Sequence, residues 1–512
     1  MKKNWLGKVI ALALAGTMVI STAIVFGGSN KTSAEASKTT LAATKIEKAP
    51  KYVFLFIGDG MSYPQIQAAS DYLGAMSQSK DSKILTGGKE LSFMGFDAAG
   101  SATTFDSSSF CPDSASTATS ISTGYKTYSS VINMDESKTK SYETIAEKLK
   151  EQLNYKIGVI STVNLNHATP AAFYAHQPSR NNYYEIGIEM IESNFDYFAG
   201  GGLKQTTGKD KDKEDLYTLA QKAGYKVIKT EAEADKLTAK DGKAIIIGET
   251  LADSDSLSYD NDRENSEWSL ADYVGKGIEV LNNDKGFFMM IEGGKIDWAC
   301  HANDAGSTIA DTLALDESVR EAIDFYNQHP AETLIIVTGD HETGGLTIGY
   351  AGTDYNTYLE NISNQKISYA KYDSDYVAKY KENKTSFEDV LKDVKKLFGL
   401  TTKGDTGATA DSKLVLTEYE LSKLKAAYEK TMNGEVVDNT MQEEYVLYGT
   451  YEPLSVTITH ILNNKSGINF ASYAHTGLPV GVFAEGTGAE LFNGYYDNTD
   501  IYNKLATLLD IK

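Results

Sequence analysis

Three apolar runs in this chain each stop at a carboxylate, and that pattern restricts the folds open to it. Tyr52-Val-Phe-Leu-Phe-Ile57 ends in Gly58-Asp59-Gly60, and Phe287-Phe-Met-Met-Ile291 ends in Glu292-Gly293-Gly294. Thr333-Leu-Ile-Ile-Val-Thr338 ends in Gly339-Asp340-His341. Short apolar runs without polar alternation, bounded by glycine, read as strands buried on both faces, as in a parallel sheet between helical layers. In an open α/β sheet the carboxyl ends of the strands are where ligands bind. Three carboxylates converging there repel one another unless a positive charge sits among them, and a divalent metal is the simplest such charge.

The rest of the chain keeps the same rhythm. Tyr142, Ile145, Ala146, Leu149 and Leu153 fall at helical spacing before a strand at Ile157–Ser161. Further strands are predicted at 195–202, 226–228 and 244–248, with helices at 270–281 and 305–326. The charged run 209–215 reads as a solvated loop, and 91–109 as strand or loop. Between Gly349 and Phe470 the alternation breaks into tyrosine- and lysine-rich sequence with helical pieces near 387–397 and 416–432, so about 350–470 is read as an insertion. The alternation returns with a strand at Pro479–Phe483 and a last helix at 499–509. The fold expected is α/β: three layers, αβα, around a large, mostly parallel central sheet, with an inserted helical or irregular region.

At 512 residues with 41% hydrophobic content, the chain is long enough for one large domain. A formal charge of −21 excludes a nucleic-acid surface, which needs basic residues against phosphate. Lys2, Lys3 and Lys8 precede an apolar run from Val9 to about Gly28, then polar residues up to Ala34-Glu35-Ala36. This reads as a signal peptide over 1–36, with 37–50 as a linker, so that the protein works in the extracellular space or the cell envelope. A retained membrane anchor is the alternative and is disfavoured. The two cysteines, Cys111 and Cys300, are read as free thiols, with a bridge between them left open.

Ser114 follows Cys111-Pro-Asp113 and precedes small residues up to Gly124, where a helix is predicted to begin and end. By itself a serine there reads as an N-cap; a helix start also favours an anion, so a nucleophile is the other reading. Asp297 and His301 stand four apart, one turn of a helix, after the strand-end Glu292. Asp340-His341 adds a second carboxylate and imidazole, and His475 a third imidazole just before a strand.

These pieces resemble the alkaline phosphatase family. The resemblance is carried by Phe56-Ile-Gly-Asp59-Gly-Met61, Pro112-Asp-Ser114-Ala-Ser-Thr-Ala-Thr119 through Gly124, His167-Ala-Thr169-Pro170 with Arg180, and Glu292-Gly-Gly-Lys-Ile-Asp297-Trp-Ala-Cys-His301. Val337-Thr-Gly-Asp340-His341-Glu342 and Ala474-His475-Thr476-Gly477 complete it. The resemblance implies a catalytic domain over 51–512 that hydrolyses diverse small phosphate monoesters through a phosphoserine on Ser114. It assigns Asp297, His301 and His475 to one zinc, and Asp59, Asp340 and His341 to a second. Asp59, Thr169 and Glu292 go to a third, magnesium-type site. It makes Arg180 the clamp on the phosphoryl oxygens and Asp113 the residue that orients Arg180, while Ser116 and Thr117 read as helix packing. His167 and Trp298 depart from enterobacterial-type members, which have Asp and Lys there; this leaves magnesium, zinc and cobalt open at the third site. A homodimer is also left open, and related metalloenzymes acting on phosphodiesters or sulfate esters are the rival reading.

Overall fold

The strands are, in chain order, β1 (Tyr52–Gly58), β2 (Ala98–Thr103), β3 (Lys156–Ser161), β4 (Tyr197–Gly200), β5 (Lys226–Ile228), β6 (Ala244–Ile247) and β7 (Phe287–Gly293). They continue with β8 (Thr333–Gly339), β9 (Glu342–Thr343), β10 (Thr347–Ile348), β11 (Ile468–Asn469), β12 (His475–Thr476), β13 (Val480–Gly486) and β14 (Gly494–Asp497). They belong to a computed structural model that describes residues 49–79, 84–405 and 412–512. The proposed signal peptide and all but the last two residues of the proposed linker lie outside the described residues. Ten strands form one sheet in the order β14-β2-β13-β8-β1-β7-β3-β4-β6-β5. Its ladders are parallel except that β13 runs against both of its neighbours.

β1, β7 and β8 are buried along their whole length, as their unbroken apolar composition requires. They are also flush. Tyr52 pairs with Phe287 on one side and Thr333 on the other, and Gly58 pairs with Gly293 and Gly339. Asp59 and Asp340 therefore leave the sheet side by side, while Glu292 lies between Ile57 and Ser161. The register alone gathers the three strand-end carboxylates.

Alternate residues of β1 enter opposite cores, following the two-residue period of a strand. Phe54 and Phe56 pack with Phe287 and Phe325 under the helices Tyr63–Ser77, Leu270–Leu281 and Ala305–Gln328. Val53, Leu55 and Ile57 pack with Phe288 and Met290 under Ser114–Thr123, Ile145–Leu153, Tyr183–Glu192 and Thr499–Leu509. This is the three-layer αβα arrangement expected. The 350–470 region is mainly helical, with Phe387–Phe398, Glu418–Met432, Gln442–Tyr448 and Pro453–Ser466 among its helices. It adds Tyr372, Val390 and Leu454 to the first core. β10 pairs antiparallel with β11, so the chain leaves for this region and returns from it at adjacent positions.

The predicted strand at 195–202 is shorter in the fold, because Gly200 (φ 125°) turns the chain out of the sheet. Within 91–109 a short turn of helix at Ser92–Gly95 precedes β2. Cys111 is exposed, Cys300 is buried, and both are free thiols, which removes the bridge that the sequence left open. Among the described residues no helix is long and apolar enough to cross a membrane.

Candidate active site

Ser114 is the first residue of the Ser114–Thr123 helix, and it is not the cap. Asp113 caps the helix by accepting from Ser116 N, and Gly124 (φ 78°) closes it in the left-handed conformation that glycine adopts without strain. Ser114 Oγ is thereby left for other work at the positive end of the helix. It is 1% exposed and lies 3.2 Å from His341 Nε2. That nitrogen in turn lies 3.1 Å from Asp59 Oδ1 and 3.4 Å from Asp340 Oδ2. Burial opposes charge on His341, yet Asp340 and Asp59 outweigh it and raise the imidazolium to about 10. Burial first and Asp59 second push the Asp340 carboxyl up.

A second cluster adjoins the first, with the His341 ring stacked on His475 at 3.7 Å between centroids. Its two remaining imidazoles are fixed by backbone carbonyls. His301 Nδ1 lies 2.6 Å from Tyr473 O and His475 Nδ1 lies 2.5 Å from Pro112 O. A carbonyl only accepts, so both Nδ1 atoms carry hydrogen, and each ring when neutral points an Nε2 lone pair into the site. Those Nε2 atoms are 3.1 Å apart, and Asp297 brings Oδ2 to 3.3 Å from one and Oδ1 to 3.5 Å from the other. Burial, then the charge on His341, lowers His475 to about 3, so its ring is neutral. Three acceptors facing one another need a cation between them, and the donor set of two imidazoles and one carboxylate suits zinc.

The third group is Asp59, His167 and Glu292, whose candidate ligand atoms lie within 4.8 Å of one another. Glu292 Oε1 is buried without a hydrogen-bond partner, as expected of an atom that a cation would satisfy, and His167 Nδ1 is likewise buried and unpartnered. Thr169 Oγ1 donates to Asp59 Oδ2 at 3.3 Å, and Ser161 Oγ donates to Glu292 Oε2. Burial and then Asp59 raise Glu292 well above the carboxylate range, while burial and then Arg180 lower His167 to about 3. Arg180 donates from Nη1 to Asp113 Oδ2 at 2.9 Å, and its Nη2 is 3.1 Å from His167 Nε2.

The family model for alkaline phosphatases matches residues 50–511. The chain belongs to the alkaline phosphatase family. It is 29% identical to alkaline phosphatase 4 of Bacillus subtilis (strain 168) over a gapped alignment of 517 positions that covers 99% of this chain and 98% of that one. The fold is similar to the cold-active alkaline phosphatase of a psychrophilic Shewanella species, with 27% identity, a TM-score of 0.72 and coverage of 90% of this chain and 99% of that one. It is also similar to the alkaline phosphatase of the Antarctic bacterium TAB5, with 25% identity, a TM-score of 0.59 and coverage of 91% and 99%. The protein is accordingly a metal-dependent phosphate monoester hydrolase.

In this alkaline phosphatase the fold brings together every residue expected at the site: Ser114, Asp113, Arg180, Asp59, Thr169, Glu292, Asp297, His301, Asp340, His341, His475 and His167. Other contributors were not expected. Thr117, read from the sequence as helix packing, donates from Oγ1 to Asp340 Oδ2 at 3.1 Å, because it lies one turn after Asp113 on the face turned to the sheet end. Ser116, also read as helix packing, reaches beyond the helix as well, its Oγ lying 2.7 Å from Asp106 Oδ2 and 3.0 Å from Asp113 O. Thr343 Oγ1 donates to Asp297 Oδ1 at 2.5 Å and stands 3.2 Å from His341 Nδ1. Pairing of β9 with β12 sets Thr343 opposite His475. Glu342 holds this pair by accepting from Thr476 Oγ1 and from Gln65 Nε2.

Proposed function

We propose that this phosphatase cleaves diverse phosphate monoesters outside the cytoplasm through a phosphoserine at Ser114. The observation that carries this reading is Ser114 Oγ itself: released from capping by Asp113, buried at a helix start, and 3.2 Å from an imidazole flanked by two carboxylates. Asp297, His301 and His475 would hold one Zn2+, and Asp59, Asp340 and His341 a second. Asp59, Thr169 and Glu292, with His167, would hold a Mg2+. When bound, the two zinc ions supply positive charge that lowers the pKa of a serine hydroxyl and neutralises a departing alkoxide.

The protein's own groups do the rest. Ser114 Oγ attacks phosphorus in line, the bond to the alcohol oxygen breaks, and the phosphoryl group rests on the serine, where backbone donors and the helix dipole favour its charge. Water then cleaves the phosphoserine from the side the alcohol left, so configuration at phosphorus is retained over two displacements. Arg180 presents a planar fork to two phosphoryl oxygens, and Asp113 keeps the fork aimed. These groups all address the phosphoryl end, which supports breadth on the alcohol side.

Variants of the TAB5 enzyme in which a histidine is replaced by glutamate or aspartate hold magnesium in the site called M3. By the same logic, the imidazole of His167 lacks the negative charge that magnesium favours, so zinc or cobalt competes there and His167→Asp shifts the preference to magnesium. Export rests on the leader over 1–36, and N-terminal sequencing of the mature protein tests it. Metal analysis with aryl phosphate hydrolysis before and after chelation tests the mechanism. Full activity in metal-free protein would overturn it.

A further inference from the structure

We propose that the 442–451 segment of the inserted region braces the metal ligand His301, acting through Tyr473 as a positioning residue. This rests on the reading of Asp297, His301 and His475 as zinc ligands. His301 is the last residue of the short Lys295–His301 helix and its side chain is 26% exposed, so neither helix nor burial fixes the ring. Its hydrogen bond to Tyr473 O does, by setting both the ring's orientation and the hydrogen on Nδ1. Tyr473 lies between β11 and β12 outside regular structure. Its neighbours are tied to Gly344, Ser472 N donating to Gly344 O at 3.0 Å and Gly344 N to Ala474 O at 3.0 Å, and the orientation of the Tyr473 carbonyl between those ties is completed by what holds its side chain.

The inserted region supplies that hold. The rings of Tyr445 and Tyr451 lie 5.9 and 6.1 Å from the ring of Tyr473, and Tyr473 Oη donates to Val446 O at 3.3 Å. Gly449 (φ 57°) ends the Gln442–Tyr448 helix directly against the tyrosine; a Cβ there would stand 2.7 Å from the ring. The helix buries none of its own residues, so it adds little to the core, and its close contact with Tyr473 gives it a purpose. A second tie runs through Asn303, two residues beyond His301, which donates to Ser472 O at 2.8 Å and is held by His460 at 3.1 Å. The region that interrupts the αβ rhythm thus reaches the first metal site at the hydrogen bond that orients one of its ligands. Partners in this outer position are worth about tenfold to a hundredfold in metal affinity.

The test is equilibrium titration of metal-free full-length protein with Zn2+ against a chromophoric chelator, for the wild type and four variants. His301→Ala is expected to lose one zinc equivalent per chain. Tyr473→Ala is expected to keep the stoichiometry but bind one equivalent about tenfold to a hundredfold more weakly. Tyr473→Phe, which keeps the ring, is expected to restore affinity to near the wild-type value. Gly449→Ala pushes a methyl into the intact ring and also strains the backbone at φ 57°; it is expected to weaken the same equivalent and leave the other zinc unchanged, and that selective loss decides the matter if Tyr473→Ala does not fold. Unchanged stoichiometry in His301→Ala would remove the ligand reading and the brace together. Loss of one equivalent in His301→Ala, with wild-type affinity in the Tyr473 and Gly449 variants, would remove the brace alone.

Discussion

Arg180 can only donate, and in this fold one face of its guanidinium is already committed to Asp113. Arg180→Ala removes two charge-assisted hydrogen bonds to a bound phosphoryl group, each worth about 1.5–3 kcal/mol. Inorganic phosphate should then bind at least about a hundredfold more weakly by calorimetry, at one decade per about 1.4 kcal/mol, with phosphoenzyme still formed. Affinity equal to wild type would remove the clamp from the account. The titrating groups beside Ser114 give a stability prediction for the metal-free protein. Asp340 is raised by burial and Asp59, and His341 is raised to about 10 against burial by Asp340 and Asp59. For His341 the stabilisation is full below 6.5 and is lost as pH rises through about 10. For Asp340 the raised value is a penalty absent below 3.8 that grows as pH rises from there to about 8 and is constant above it. His167 and His475, both lowered to about 3, act in the opposite sense, but below 6.5 where unfolded imidazoles take up protons. The melting temperature with chelator should therefore fall between pH 7 and 10 and flatten when zinc is restored; a flat metal-free profile would contradict this assignment of charges.

The helix that starts at Ser114 shows what one element adds to a set of side chains. Asp113 serves it twice, with Oδ1 accepting from Ser116 N and Ser130 N and Oδ2 accepting from Arg180. Asp113→Ala should cost about 1 kcal/mol through the lost cap and should also raise KM as Arg180 loses its aim, read by denaturant unfolding alongside steady-state kinetics. A stability loss with unchanged KM would separate the two roles. The strand-end carboxylates were legible in the sequence because an apolar run stopped by a glycine and an acid has few other structural readings. Thr117 and Thr343 were not, because a threonine in a helix or after a strand is equally at home in packing; pairing of β9 with β12 and the rotation of one helix make them partners of Asp340 and Asp297. Thr343→Val strips a donor from a buried carboxylate and should destabilise the protein by about 1–3 kcal/mol.

Across the whole molecule, the flush register of β1 with β7 and β8 gathers Asp59, Glu292 and Asp340, while a helix start, a loop, the end of a short helix and β12 deliver Ser114, Arg180, His301 and His475 to the same end of the sheet. The layers were readable from the alternation of apolar runs and helical periods. The reach of the 350–470 region to Tyr473 was not, since no periodicity marks a contact between a tyrosine ring and a glycine backbone. The central claim is that the pieces meet to make Ser114 a nucleophile. It is tested most directly by acid-quenching the zinc- and magnesium-loaded enzyme with a labelled phosphate monoester and mapping the label. The account predicts label on Ser114, none after chelation, and none in Ser114→Ala. Stable label on another residue, or on the Ser114→Ala protein, would contradict it.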